Sequence, residues 1–416
     1  MKGMAAVVNI GQLVTLAGPS RPRKGAELRE LGLVRDAAML IEDGHIEAVG
    51  TYADLCARIP PVATVIDAGG RCVTPGFVDA HTHLVFAGNR AAEFEQRIAG
   101  ATYQEIAAAG GGILKTVALT RAASGDELLV AARQHRDWML RGGTTTVEAK
   151  SGYGLDRATE LRMLHVLAQL DVEGPTRVVP TLLAAHAIPP EFADNREEYL
   201  LWIVEDLIPH VSEERLARYC DAFCDDHAFT LDETRLVLEA AKRKGMRLRI
   251  HAEQFKSGTG ASLGAELGAR TVDHLEMVTE ESLHQLRAAG VQPVVLPASV
   301  FALGRTNYPP ARKMVDLELA LVLATDFNPG SSPVSSMPFV ISLACVAMGL
   351  SPAEALTAAT INAAWSVDLG RCVGSLESGK EADFLIHEFE DYREIAYYIA
   401  APARPRVFIA GTEVTP

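Results

Sequence analysis

Between residues 77 and 328 the chain alternates short apolar runs rich in β-formers with longer stretches whose apolar positions recur at helical spacing. The runs are 77–83, 144–151, 177–186, 219–227, 247–255, 271–276, 292–299 and 321–328. Eight strands separated by helices predict a parallel sheet closed as a (β/α)8 barrel, which takes roughly 250 residues. The helices carry their own start signals. Thr230 with Glu233 makes a capping box ahead of Leu236, Val237 and Ala240, and Gly245 stops that helix. Ser351-Pro352 with Glu354 is a second start, and Asp156 can cap a helix that buries Leu161, Leu164 and Leu167.

The two ends read differently. Ala37–Ile41 is a short apolar run, Glu42-Asp43-Gly44 is a hairpin signal, and Ile46–Val49 resumes the run. Asp383–His387 and Pro405–Ile409 are similar, with a turn at Gly411-Thr412. Neither end needs a long helix. Residues 1–72 and 372–416 are therefore expected to pair into one small β domain, with 73–371 forming the barrel.

Composition narrows the class. Of 416 residues, 48% are hydrophobic and 22% charged, an ordinary globular balance. A formal net charge of -14 argues against a nucleic-acid partner, which needs clustered cations. Six cysteines in a chain this long are no disulfide framework, and Cys220 and Cys224 read as small core residues. The apolar start from Met4 to Ile10 is broken by Asn9, Gly11 and Gln12 and alternates like a strand. No apolar run approaches the roughly 20 residues that span a bilayer. A soluble, cytoplasmic protein without a membrane partner is expected.

A barrel carries its chemistry at the carboxyl ends of its strands. The first run ends Asp79-Ala80-His81-Thr82-His83, and alternate strand residues share a face, so His81 and His83 point the same way. The fifth run reaches His251, the sixth His274 and the eighth Asp326. A closed barrel would point these groups at one another. Imidazole and carboxylate suit Zn(II) or Fe, and zinc can lower the pKa of bound water to about 7. A single strand-end histidine is usually packed, and His227 reads that way; His45, His135, His165, His210, His284 and His387 lie in helical or end segments and read as solvated or packed.

The segment from Val73 to His83 resembles the first-strand signature of the amidohydrolase superfamily, and Ala324-Thr325-Asp326 its last-strand aspartate. Within that superfamily the chain resembles the imidazolonepropionase family. Phe86–Arg90, Gly110–Ile113, Glu148–Leu155, His251–Gln254, Asp273–Glu276 and Asp326–Ser331 carry the likeness, which covers essentially the whole chain. The resemblance implies a β-sandwich built from both chain ends. It implies one Zn(II) or Fe(III) per subunit on His81, His83, His251 and Asp326, and a homodimer. It also implies hydrolysis of 4-imidazolone-5-propanoate to N-formimidoyl-L-glutamate, the third step of histidine degradation. A purine or pyrimidine ring deaminase and a non-catalytic barrel relative are the alternatives.

Roles follow from the substrate's ring amide and anionic tail. Asp326 can take a proton from water and return it to the leaving nitrogen. The resemblance makes His274 a substrate-polarising or water-orienting group and His186 a substrate contact, and it sets Asn328, Gly330 and Ser331 against substrate or product. Arg90 has the planar fork that a carboxylate tail needs, unless it only pairs with Glu93 or Glu95. Tyr103 and Tyr153 can add hydroxyl donors. Some family members carry Glu where this chain has Gln254. An amide takes up no proton at neutral pH, so Gln254 is expected to hydrogen-bond the ring and the proton shuttle falls to Asp326. Lys150 could be carbamylated to bridge two ions, but it ends the second run rather than the fourth, so a single ion is expected.

Overall fold

The computed structural model describes residues 3–101, 105, 110–225, 228–401 and 404–415. Five strands precede the barrel: β1 (Met4–Val14), β2 (Leu33–Glu42), β3 (His45–Thr51), β4 (Thr64–Asp67) and β5 (Cys72–Pro75). The barrel strands are β6 (Phe77–Thr82), β7 (Thr144–Lys150), β8 (Arg177–Ala185), β9 (Tyr219–Cys224), β10 (Arg247–Ala252), β11 (Thr271–His274), β12 (Gln292–Val295) and β13 (Val322–Leu323). Then come β14 (Phe384–Ile386), β15 (Arg406–Ile409) and β16 (Thr412–Val414).

The eight barrel strands run parallel in chain order from β6 to β13, with helices between them. The ring closes where His83 N donates to Phe327 O at 2.9 Å and Asp326 N donates to His81 O at 3.1 Å. All eight apolar runs became strands. Several are shorter than their runs, β13 most of all, because the chain leaves the sheet to place its polar end residues. On β6, Val78 and Ala80 share an apolar cluster with Ala363 and Ala364 of the helix Ile361–Ser366. That cluster also takes Val179, Tyr219, Val294 and Val322 from other barrel strands, and a register shift between Asp79 and Thr82 separates it from His81 and His83 at the mouth.

The predicted helix starts are present. Thr230, Asp156 and Ser351 accept from the backbone N–H of Glu233, Thr159 and Glu354, opening the helices Leu231–Arg243, Arg157–Glu173 and Pro352–Ala358.

Strands from both ends of the chain form one mixed sheet, in the order β16-β15-β14-β5-β1-β2-β3 with β4 beside β1. Its β2–β3 hairpin turns on Asp43 and Gly44, both at positive φ (48° and 84°), the two-residue turn that matches strand twist. Ala5, Val7, Ile10, Leu13, Met39, Ile41, Phe384 and Phe408 fill this sheet's own apolar cluster. All six cysteines are free thiols. Among the described residues no helix is long and apolar enough to cross a membrane.

Candidate metal centre and active site

The strand-end residues meet at one end of the barrel. The rings of His81 and His251 lie 4.5 Å apart between centroids, those of His251 and His274 5.4 Å, and those of His83 and His251 5.7 Å. Their donor atoms fall into two triads that share His81. One is His81, His83 and Asp326, and the other is His81, His251 and His274, each within 4.8 Å. All five residues are buried. His81 Nε2 and His83 Nε2 each stand 3.5 Å from Asp326 Oδ1. That is long for a hydrogen bond. It is close to the ~3.3 Å edge of a tetrahedron with bonds of about 2.0–2.1 Å to a central zinc.

Three further observations fit an ion. His81 Nε2 and His251 Nε2 are buried with no hydrogen-bond partner among the described residues. Such orphaned atoms are costly unless something else satisfies them. Burial, and next the nearby charge of Lys150, hold His81 well below the usual histidine range; burial and the neighbouring His186 do the same for His83. Both rings are therefore neutral and offer lone pairs. His274 differs. Burial opposes its charge, but Glu276 and the carboxylates of Asp326 and Asp273 outweigh burial and raise its pKa. Asp326 is itself raised by burial, with His274 and His251 pulling it back. His274 (φ 81°) and Asp326 (φ 54°) both sit in the left-handed region, as does Glu253 (φ 59°). Non-glycine residues there cost on the order of 1–3 kcal/mol each and cluster at functional sites.

Directly beneath lies a layer of buried charge. His81 Nδ1 donates to Asp273 Oδ2 at 2.6 Å, and His251 Nδ1 stands 3.0 Å from Asp221 Oδ2. Lys150 Nζ lies 2.9 Å from both Glu148 Oε1 and Asp221 Oδ2, and Arg249 Nη2 is 3.3 Å from Asp273 Oδ2. All five of these charged side chains are fully buried. Burial works against the Lys150 ammonium, but Asp221 and Glu148 raise its pKa overall.

The rim carries the polar residues. His83 stacks on His186 at 5.1 Å, and Tyr153 lies 5.7 Å from His83. His186 Nδ1 donates to Gly152 O at 2.9 Å, and burial lowers its pKa to about 3, so its Nε2 is a free acceptor. Burial and the charge of Asp326 keep the Tyr153 hydroxyl protonated. Arg90 Nε donates to Glu93 Oε2 at 2.7 Å, and its guanidinium lies against Gly330. A Cβ on Gly330 would overlap Arg90 Nη1 and approach Cζ to 3.0 Å. Asn328 Oδ1 accepts from Gly330 N and Ser331 N, both at 2.8 Å, while Nδ2 donates to Asp326 O and Ser331 Oγ.

A model of the amidohydrolase family matches residues 72–414, and one described as an imidazolonepropionase-like composite domain of bacteria matches 37–58. The imidazolonepropionase of Solibacter usitatus (strain Ellin6076) is 55% identical over 98% of this chain and 97% of its own length. That of Streptococcus pyogenes serotype M3 (strain SSI-1) is 44% identical over 97% and 96%. The chain belongs to the imidazolonepropionase family of amidohydrolases. Among solved structures, 5-methylcytosine deaminase from Klebsiella pneumoniae (TM-score 0.73, 16% identity, 99% of this chain and 97% of that one) shares the fold. So does E. coli guanine deaminase (TM-score 0.70, 17% identity, 100% and 99%).

Within this imidazolonepropionase-family barrel, the structure gathers His81, His83, His251, His274 and Asp326 into one cluster, with Tyr153 and His186 against it. Arg90, Gly330, Ser331 and Asn328 form the neighbouring rim. Gln254 is buried, its backbone N–H donating to Asp225 and its amide Nε2 lying 3.5 Å from Ser299 Oγ. Tyr103 and His227 lie outside the described residues. Arg90 pairs with Glu93 and also lies against Gly330 of the last-strand loop. Glu253 turns away from the cluster: its Oε1 accepts from Ala261 N at 3.2 Å, and burial raises its pKa to about 7.

Sequence reasoning missed Glu148, Asp221, Arg249 and Asp273. Strand parity holds the signal that finds two of them. Arg249 shares a strand face with His251, and Glu148 shares one with Lys150, each two residues earlier in its strand.

Proposed function

We propose that the chain hydrolyses the cyclic amide of 4-imidazolone-5-propanoate to N-formimidoyl-L-glutamate, the third step of histidine degradation, with one Zn(II) or Fe(III) per subunit. The observation that carries this reading is a barrel mouth in which an orphaned cluster of imidazoles and Asp326 shares a rim with the Arg90 guanidinium, in a chain 55% identical to a curated imidazolonepropionase.

His81, His83, His251 and Asp326 would hold the ion, which when bound supplies Lewis acidity toward a carbonyl and toward water. The chain's own groups supply the rest. Arg90 meets the propionate through Nη1 while Glu93 holds its Nε and Nη2. His186 Nε2 accepts from a ring N–H, and the Tyr153 hydroxyl stays a donor. His274, kept protonated by Glu276, donates to the oxygen on which negative charge develops. Asp326 takes the proton from the attacking water and hands it to the leaving ring nitrogen; its raised pKa makes it a better base than a solvated carboxylate. Gln254 contributes a hydrogen bond to the ring.

A ring deaminase would place an acidic shuttle two or three residues after the strand-five histidine. Gln254 is not acidic, and Glu253 is turned toward Ala261 N, from which its Oε1 accepts. The same reading carries a cytoplasmic homodimer, whose mass light scattering checks. The deciding test is a spectrophotometric assay with freshly generated imidazolonepropionate, with and without chelator. Disappearance of the imidazolone chromophore that stops on chelation is expected. Persistent turnover in chelator, or release of ammonia from a nucleobase instead, refutes the reading.

A further inference from the structure

Two carboxylates beneath the cluster, Asp273 and Asp221, meet the inner nitrogens of His81 and His251, and two buried cations hold those carboxylates in turn. We infer that Asp273 and Asp221 are positioning residues that fix the tautomer and aim of His81 and His251 toward the ion, with Lys150 and Arg249 locking the carboxylates in place. This rests on the reading of the cluster as an ion centre.

The argument begins with donor chemistry. An ionised carboxylate only accepts, so the 2.6 Å contact with Asp273 Oδ2 requires that His81 carry its proton on Nδ1. The lone pair is then on Nε2, the atom that is buried without a partner and 3.5 Å from Asp326. His251 repeats the arrangement. Its Nδ1 lies 3.0 Å from Asp221 Oδ2, and its orphaned Nε2 is the atom left for the ion. Each imidazole thus meets a carboxylate at one nitrogen, His81 through a hydrogen bond and His251 at ion-pair distance, and is presented at the other.

The carboxylates have little freedom to drift. Asp221 Oδ2 is also 2.9 Å from Lys150 Nζ. Asp273 Oδ2 is also 3.3 Å from Arg249 Nη2, whose guanidinium donates to Ala80 O at 2.7 Å and lies over the Tyr219 ring. Arg249 is therefore tied to the backbone of β6, the strand that bears His81 and His83. Rotating Asp273 away from His81 would leave Arg249, in a fully buried site, with only the more distant Glu148 as a charged partner, 3.8 Å from its Nε.

Charge supplies the second strand of the argument. Glu148, Asp221 and Asp273 carry three negative charges against two positive ones on Lys150 and Arg249, leaving a formal charge of -1. A buried ionic cluster seldom repays its desolvation in stability, and well-packed apolar residues often do as well. A net negative layer under a cation is different, because the ion itself completes the balance. Carboxylates that hold a ligand histidine commonly change ion affinity 10–100-fold when removed.

The test uses the full chain, stripped of ion and titrated with Zn(II) alone against a chromophoric chelator. Asp273→Asn and Asp221→Asn keep the shape and lose the charge; Asp273→Ala removes the acceptor as well. Each Asn variant is expected to bind Zn(II) about 10–100-fold more weakly than the parent, and the Ala variant more weakly still. The ion-free melting temperature and far-UV spectrum of the Asn variants should stay close to the parent's. The d–d absorption of the Co(II)-loaded Asn variants should shift, a signature that a purely structural role would not move. If Asp273→Ala does not fold, the Asn pair decides. Zn(II) affinity within threefold of the parent in both Asn variants overturns the inference alone. A parent that takes up no Zn(II) overturns the ion centre and the inference with it.

Discussion

Gly330 is the most direct probe of how the tail of the substrate is held. Replacing it with Ala adds one methyl group on the side where Arg90 lies, overlapping Nη1 and coming within 3.0 Å of Cζ. The φ of Gly330 is not in the left-handed region, so Ala suits the backbone and the effect is steric. The guanidinium must retreat by about an ångström to regain ordinary van der Waals contact. Because Glu93 pins Nε at 2.7 Å, it can do so only by turning its fork. Charge-assisted hydrogen bonds are worth about 1.5–3 kcal/mol, which converts to roughly 10- to 150-fold in kcat/KM if the pairing with the carboxylate is lost. The loss should fall mainly on KM, since the tail lies away from the reacting carbonyl. Steady-state kinetics on imidazolonepropionate, with ion content and melting temperature measured on the same preparation, separates the possibilities. Kinetics within threefold of the parent would refute the placement of Arg90 against the tail. A matching loss of ion would show instead that the loop shapes the centre.

Three other outcomes follow. Arg90→Ala should raise KM far more than it lowers ion content, measured by elemental analysis; equal loss of ion would make Arg90 structural. Asp326→Ala should abolish turnover, and substantial residual activity would move the proton shuttle elsewhere. His387 gives a pH prediction far from the centre. It is buried against Thr74 Oγ1 at 2.9 Å, and burial lowers its pKa from 6.5 to about 4. The folded state refuses a proton that the unfolded chain accepts, so the contribution is whole above pH 6.5 and is lost as pH falls toward 4. The loss approaches about 3 kcal/mol. Denaturant melts of His387→Gln across that range should show a shallower decline than the parent's, and parallel curves would refute the assignment.

The fold was legible because each barrel strand is an apolar run bounded by helix signals, and because the last polar residue of a strand must face the mouth. His81, His83, His251, His274 and Asp326 were found by that rule alone. The pairing of Arg90 with Glu93 was legible, but its contact with Gly330 joins residues 240 positions apart, and no local pattern records it. The charged layer was hidden for a different reason. Asp221 and Arg249 sit between apolar neighbours, Cys220 and Ala222 or Leu248 and Ile250, and a lone charge there reads as an interruption rather than as a partner. Lys150 drew attention only as a carbamylation candidate; its pairing with Asp221 on the next strand but one appears only once the barrel is closed.

The mixed sheet ties the order of synthesis to the completion of the fold. Pro75 pairs with Phe384 and Val73 with Ile386, so the edge of β5 waits for a strand made after the whole barrel. Until then a growing chain presents that edge unpaired, and exposed sheet edges are templates for association with other chains. A chain stopped before β14 can hold every residue of the metal cluster and still lack the strand that seals its first sheet. Truncations that spare the chemistry are therefore expected to fail by aggregation rather than by loss of the site.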